Sequence, residues 1–289
     1  MAVADAEVVV DKRISNIPQL GVGIGFREPL RGQLFLDRSS VDFLEITADH
    51  YFDAPQHKED ELNLLADHFT LIPHGLNLSL GSAEGLNKEY VKNFVELVKC
   101  LNPPYWSEHI AFTSSGGVAI GHLSPLPFTR EAVNALCRNI KQMRQYVDIP
   151  IVLENITYTV DLPGAEMTEA QFLTEILERA DCGLLLDITN LYVNSVNHRY
   201  DIGSFLENIP LERVVQLHFV GVEWKDGMLI DSHAQPTPQE IWDLMDKVCS
   251  RAPVKGIILE RDENIPDFEE LKSELNKARQ IIKGYQRCH

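Results

Sequence analysis

The chain has 289 residues, 44% of them apolar, enough for one full hydrophobic core or two small ones. Its 43 acidic side chains against 26 basic ones give a formal charge of −17, which excludes the basic footprint that duplex binding needs. No apolar stretch approaches the roughly 20 residues of a spanning helix, and the start lacks the basic region of a signal peptide. With five cysteines, odd in number and without a C-x-x-C pair, a cytoplasmic protein with reduced thiols is expected.

Residues 1–15 read as an N-terminal lead-in and 16–289 as a single domain. The first strand-like segment, 22–26, overlaps Gly21-Val22-Gly23-Ile24-Gly25. That run lacks the G-x-G-x-x-G spacing of a dinucleotide loop, and its glycines fit backbone crowding inside a strand. Segment 41–46 follows, with Glu45 near enough in sequence to pair with Arg27, and then Glu59, Asp60 and Glu61 on what reads as a solvated helix face. Segment 69–72 runs into Pro73-His74, and helix 89–101 places Tyr90, Phe94, Leu97, Val98 and Leu101 at the 3.6-residue period. Segment 105–112 contains Ser107-Glu108-His109; residues 113–128 are the longest irregular stretch and the expected place for substrate contacts. Thr129 is a plausible N-cap for helix 130–146. Segment 149–153 ends at Glu154, helix 168–179 follows, and segment 183–186 ends at Asp187. Segment 213–219 holds His218, with Asp231-Ser232-His233 expected in the loop after it. Helix 237–248, segment 255–259 with Glu260 at its end, and helix 268–282 complete the chain. Strand alternating with helix through eight strands predicts the α/β class and a (β/α)8 TIM-like barrel, with a doubly wound open sheet as the alternative.

Six of these segments close on a histidine or carboxylate: His74, Glu108-His109, Glu154, Asp187, His218 and Glu260. In a parallel barrel the C-terminal ends of all strands face one cavity, so residues far apart in sequence converge. Mixed imidazole and carboxylate donors suit iron, manganese, cobalt or zinc rather than magnesium or calcium. No cysteine cluster, H-E-x-x-H, G-x-S-x-G or phosphate-binding loop competes with that reading. Taken singly, His218 fits a satisfied core histidine and Asp187 a helix cap; it is the convergence that points to metal. Uncompensated buried carboxylates are costly, and only Arg27 and Arg261 lie near enough in sequence to neutralise any. Asn190, three residues after Asp187, is placed to reach the same cavity. His57, His68, His198 and His289 read as surface residues, and His122 as part of the long loop.

One ordered set of motifs remains: Gly21 through Arg27, His74-Gly75 with Ser79-Leu80-Gly81-Ser82, Ser107-Glu108-His109, His122 with Pro125-Leu126-Pro127, and Glu154-Asn155. It continues through Asp187, Asn190-Leu191-Tyr192-Val193, Gln216-Leu217-His218, Ile230-Asp231-Ser232-His233 and Leu259-Glu260-Arg261-Asp262. With these motifs the chain resembles the multinuclear non-haem iron-dependent oxidative enzymes, the family that includes the catalytic subunit of methanobactin oxazolone synthesis. The resemblance implies a barrel of the xylose isomerase superfamily holding two or three irons, mixed Fe(II) and Fe(III), with O2 as cosubstrate. It implies oxidation of a residue, often cysteine, in a ribosomal precursor peptide with a leader, alongside a leader-binding partner protein; charge and hydropathy had already set aside nucleic acid and membrane as partners. Carried over by position, it implies His74, Glu108, Glu154, Asp187, His218, Asp231, His233 and Glu260 as iron ligands, with His50 and Asn190 added, and Asp187, His218, Asp231 and His233 as the catalytic group. The chain departs from the family pattern at Asp49-His50-Tyr51, where Glu-Asn-Tyr is usual, at Thr189 and at Val222. Rival expectations are a divalent-metal sugar isomerase, a phosphodiesterase or endonuclease of the same superfamily, and a metal-stabilised binding protein.

Overall fold

Runs such as Ile151-Val152-Leu153 and Ile257-Ile258-Leu259 are apolar on both faces, as strands must be when a barrel interior lies on one side and a ring of helices on the other. The computed structural model describes residues 12–285. Residues 1–11 of the lead-in, and Cys288 and His289, lie outside the described residues. Twelve strands are described: β1 Gly21–Gly25, β2 Leu44–Thr47, β3 Leu71–His74, β4 Trp106–His109, β5 Phe112–Ser115, β6 Val118–Ser124, β7 Ile151–Glu154, β8 Gly183–Asp187, β9 Val214–Phe219, β10 Val222–Lys225, β11 Met228–Asp231 and β12 Gly256–Leu259. Eight of them close into a parallel barrel in the order β1-β2-β3-β4-β7-β8-β9-β12. The expected (β/α)8 architecture is what the chain adopts.

Helices α1 Lys12–Ser15, α2 Arg31–Leu36, α3 Gln56–Ala66, α4 Lys88–Leu101, α5 Arg130–Met143, α6 Glu169–Ala180, α7 Ile188–His198, α8 Ile202–Glu207, α9 Gln239–Cys249 and α10 Phe268–Tyr285 accompany them. Thr129 caps α5, its side chain accepting from the Ala132 amide, and Thr168 forms a reciprocal capping box with Gln171 at α6. α7 carried no helical signature in the sequence. Buried Thr189, Asn190 and Asn194 interrupt its apolar stripe, because the helix packs polar side chains against neighbouring loops.

The irregular stretch expected at 113–128 is instead largely a hairpin, β5 with β6. A second hairpin, β10 with β11, puts Asp231 at the end of a strand rather than in a loop. Glu61, expected on a solvated face, is buried between Arg31 and Lys58. The four described cysteines are free thiols. No helix among the described residues is long and apolar enough to cross a membrane.

Inside the barrel the pleat sorts residues into layers. Ile72, Tyr105, Val152, Leu185, Val215 and Ile258 form an apolar floor, and Ile14 and Ile17, before the first strand, pack into it. Ile14, at the end of the lead-in, and Ile17 just after it thus cover the floor. The pairing of β8 with β9 shifts register between Leu184 and Leu185, and both Val215 and Gln216 turn inward there. Gly23 is inward as well. A Cβ on it would sit 2.3 Å from the Phe43 carbonyl oxygen, so the crowding expected of this glycine is real.

Candidate metal centre

Two residues beyond the floor, or three on β9 because of its register shift, the inward positions become His74, Ser107, Glu154, Asp187, His218 and Glu260. His74 Nε2 lies 3.2 Å from His109 Nε2 and 3.2 Å from Glu154 Oε2, and His109 Nε2 lies 3.3 Å from the same oxygen. These three atoms form a nearly equilateral triangle. Donors bound to one ion at about 2.0 Å in tetrahedral geometry stand about 3.3 Å apart. On the other side of Glu154, His218 Nδ1 is 3.3 Å from Glu154 Oε1 and 3.1 Å from Glu260 Oε2. Glu154, Asp187, His218 and Glu260 each offer an atom within 4.8 Å of all the others. Glu154 belongs to both groups and gives one carboxylate oxygen to each.

All three histidines have one ring nitrogen held by the protein and the other facing the carboxylates. His74 Nδ1 is 2.8 Å from Ser107 Oγ, and His109 Nδ1 is 3.1 Å from both the Gly75 carbonyl and Glu108 Oε1. His218 Nε2 is 3.1 Å from Glu45, which also accepts from Gln216 Nε2 at 2.6 Å. Tyr105 Oη donates to Gln216 Oε1 from the layer below. Orientation of one nitrogen by a carboxylate, hydroxyl or carbonyl is the arrangement found behind metal-ligating histidines.

The polar accounting points the same way. Glu154 Oε2, Asp187 Oδ2, His218 Nδ1 and Asp231 Oδ1 are buried with no hydrogen-bond partner. Buried polar atoms are almost always paired; Glu154, Asp187 and Asp231 line one cavity and His218 Nδ1 faces Glu154 and Glu260 beside it, an arrangement that fits donors to cations. Asp187 shows the division within one side chain: Oδ1 caps α7 by accepting from the Asn190 amide at 2.7 Å, while Oδ2 has no partner.

Electrostatics in the ion-free cluster are correspondingly strained. Burial, then Asp231, Glu154 and Glu260, push the Asp187 carboxyl well above its usual range. Burial and the neighbouring His109 push His74 down to about 3. Burial also disfavours charge on His109, but Glu154 and Glu108 outweigh it and raise that imidazole to about 9. Glu260 is held well below its usual range because His218, followed by His233 and His74, outweighs its burial.

The residues singled out in the sequence distribute unevenly. His74, Glu154, Asp187, His218 and Glu260 come together. Glu108 does not: the period of two along β4 turns Ser107 and His109 inward and Glu108 the other way, where it accepts from the Leu78 amide at 3.1 Å and orients His109. His109 takes the inward place instead, and its Nε2 joins His74 and Glu154. Asp231 and His233 form their own pair at the cavity's side, with Asp231 Oδ2 2.6 Å from His233 Nε2 and Asp262 3.2 Å from His233 Nδ1. His233 Nε2 reaches Glu260 only at 4.0 Å. Asn190 lines the cavity, but its side chain donates to the Asn155 carbonyl at 3.0 Å. His50 is exposed at the rim. Arg27, expected to pair with Glu45, binds Asp262 at 2.5 Å. Of the histidines read as surface residues, His198 is largely buried and stacks on Tyr158. The centre opens into a cavity of about 370 Å³.

A family model for the RiPP precursor modification enzymes MbnB/TglH/ChrH matches residues 21–283. The chain belongs to this family. Among its relatives, a UPF0276 protein of Streptomyces avermitilis is 36% identical over 279 residues, covering 94% of this chain and 57% of the relative. The chain thus spans little more than half of that protein, but 92% of a UPF0276 protein of Vibrio vulnificus, to which it is 33% identical over 267 residues, 91% of this chain. Among solved structures, the D-psicose 3-epimerase of Clostridium cellulolyticum with D-tagatose superposes with a TM-score of 0.57 at 11% identity, covering 92% of this chain and 99% of that one. A putative xylose isomerase of Rhodospirillum rubrum gives 0.56 at 12% identity with the same coverage. At those identities the likeness is one of fold. The MbnB/TglH/ChrH family thus supplies the enzymatic class, and the barrel mouth a candidate metal site.

Proposed function

We propose that this MbnB/TglH/ChrH-family protein is a multinuclear non-haem iron enzyme that uses O2 to oxidise a residue, cysteine by preference, in a ribosomally made precursor peptide. A leader-binding partner protein is part of this reading. The observation that carries it is the shared Glu154: two ligand groups meeting on one carboxylate form a site for more than one ion, which a single-metal hydrolase or isomerase does not need. In this reading His74, His109 and Glu154 hold one ion, and Glu154, Asp187, His218 and Glu260 hold a second. Asp231 and His233, on the open side with Asp187, provide a third, looser position and face the incoming peptide. Iron bound there supplies O2 activation and Lewis acidity toward a substrate thiol. The protein's own part is to fix ring orientation through Ser107, Glu108 and Glu45, to keep the lower ions dry, and to take up the thiol proton on the open side, where Asp231 and His233 lie.

Metal analysis and Mössbauer spectra of anaerobically purified protein test the assignment, together with O2 uptake on adding a cysteine-containing precursor peptide. Two or three irons per chain, mixed in oxidation state, and peptide-dependent O2 consumption are expected. Manganese, magnesium or zinc alone, with no O2 uptake after iron reconstitution, would overturn the reading in favour of a sugar isomerase or epimerase on the same barrel.

A further inference from the structure

A second pocket, of about 540 Å³, lies beside the metal cavity and is used by none of the ligand groups. It is formed between the segment following β7, the first turn of α6, and the ends of α7 and α8. Four aromatic rings wall it: Phe128 against Tyr158 with centroids 5.6 Å apart, and Tyr200 stacked on Phe205 at 5.8 Å. Glu169 also lines it, although its side chain is buried. One oxygen, Oε2, accepts from Tyr158 Oη and Tyr200 Oη, each at 3.1 Å, and Oε1 accepts a long bond from Asn194 Nδ2 at 3.4 Å.

A carboxylate has about four acceptor positions, so the three donors leave one open on Oε1. No lysine or arginine pairs with Glu169 among the described residues, and its neighbours are all uncharged donors. Burial accordingly raises the Glu169 carboxyl to about 7, against the lowering effect of its three hydrogen bonds. Asp161 and Asp201 also line the pocket, the first 3.3 Å from Nδ1 of the lining His198 and the second capping α8 by accepting from the Ser204 amide. A buried carboxylate with a free acceptor position, ringed by aromatic faces and flanked by further acids, is complementary to a cation through charge-assisted hydrogen bonding and ring quadrupoles. The chain's charge of −17 favours the arrival of such a group.

We propose that this pocket is a subsite for a primary ammonium group on an alkyl stem. On the reading of the protein as a peptide-modifying enzyme, on which this step rests, the ammonium belongs to the substrate peptide, as a lysine side chain or its free N-terminus. Glu154 at the metal centre and Tyr158 in the pocket wall are four residues apart, which limits their separation to about 14 Å. That distance is spanned by roughly four residues of extended peptide, so the subsite would select a basic group near the modified residue and set the register of the substrate.

Saturation-transfer NMR of the full chain with n-butylammonium, and with 1-butanol as its neutral counterpart, tests the pocket without metal turnover or a peptide. Failure here therefore leaves the metal-centre reading standing, and failure of that reading leaves this result standing. Saturable binding of butylammonium at least tenfold tighter than that of butanol is expected, with a tenfold or greater loss in Glu169→Gln. Tyr200→Phe, which removes one donor from the carboxylate and keeps the ring, should bind butylammonium at least as tightly as the unmodified protein, and it supplies the test if Glu169→Gln fails to fold. Nα-acetyl-lysine methylamide against alanyl-alanine amide then separates a side-chain from an N-terminal ammonium. Equal binding of butanol, absence of saturation, or binding lost in Asp161→Asn and Asp201→Asn but unchanged in Glu169→Gln would overturn the assignment.

Discussion

Asp187→Asn offers a direct test of whether the barrel mouth is built for cations. Asparagine caps a helix about as well as aspartate, so the hydrogen bond to the Asn190 amide survives and the substitution removes little besides charge. In the ion-free protein that charge is unfavourable, since Glu154 and Glu260 offer oxygens within 4.8 Å and Asp187 Oδ2 has no donor. At an effective dielectric of about 20, one unit charge at that distance costs about 3 kcal/mol. With the repulsion from Asp231 offset by its partner His233 at 2.6 Å, two such repulsions and one attraction from protonated His218 leave a net penalty of up to about 3 kcal/mol. Metal-free Asp187→Asn should therefore melt above the metal-free parent, by up to about 6–12 °C for a domain of this size. The sign with pH follows from the raised carboxyl of Asp187. A group that binds its proton more tightly in the folded state stabilises below its unfolded pKa, and that contribution is lost as pH rises through its folded value. The advantage of Asp187→Asn should be greatest at pH 8 and shrink toward pH 4. With metal present the order should reverse, because the parent gains about 4.1 kcal/mol at a thousandfold excess over Kd and the variant has lost a donor. Differential scanning fluorimetry with chelator and with ferrous iron reads all four states. A metal-free variant less stable than the parent at pH 8 would refute the argument, since Oδ2 would then have a stabilising partner in the ion-free protein.

Other substitutions separate the two ligand groups and the frame that carries them. His109→Ala should cost about one metal equivalent per chain by elemental analysis, whereas Glu154→Gln should cost more than one, since it serves both groups; equal losses would assign Glu154 to a single ion. Glu108→Gln, which weakens the hold on His109 Nδ1 along with the bonds from the Leu78 and His109 amides, should reduce metal affinity roughly 10–100-fold while metal can still be loaded at high concentration. If Glu108 is itself a ligand, its metal will not return. Gly23→Ala should destabilise by about 3 kcal/mol or more in chemical denaturation, because the new methyl meets the Phe43 carbonyl at 2.3 Å and Ile258 Cδ1 at 2.9 Å. Ile258→Ala in the barrel floor should cost about 2–5 kcal/mol without altering metal stoichiometry.

The centre was legible in the sequence wherever a candidate ligand is the last inward residue of an apolar strand. His74, Glu154, Asp187, His218 and Glu260 all meet that condition, and local pattern alone marks them. Glu108 and His109 show where reading by motif falls short, because adjacent residues on a strand face opposite sides and only one of the two can enter the barrel. The signal was present: Tyr105, Ser107 and His109 share one parity, and Tyr105 belongs to the floor with Ile72 and Val152. Glu45 was hidden for a different reason. Its partner His218 lies 173 positions away across the barrel, while Arg27 is close in sequence and instead serves Asp262. Pairing by sequence proximity fails when the closed sheet brings opposite strands together.

The same geometry explains why the interior is polar without being weak. Tyr105, Gln216 and Glu45 form a relay from the apolar floor to His218, each side chain held by the next. Because Val215 and Gln216 both turn inward at the register shift, β9 supplies a floor residue, a relay residue and a ligand over four positions. A regular strand of that length would have supplied two inward residues. The shift thus sets the height of His218 relative to Glu154 and Glu260, and any substitution that restores regular pairing there should move His218 out of register with both ligand groups. Inserted polar layers are costly when half satisfied. Inside the barrel the orphaned atoms of Glu154, Asp187 and His218 lie in the ligand layer, where a bound cation is the natural partner, and the relay beneath is paired.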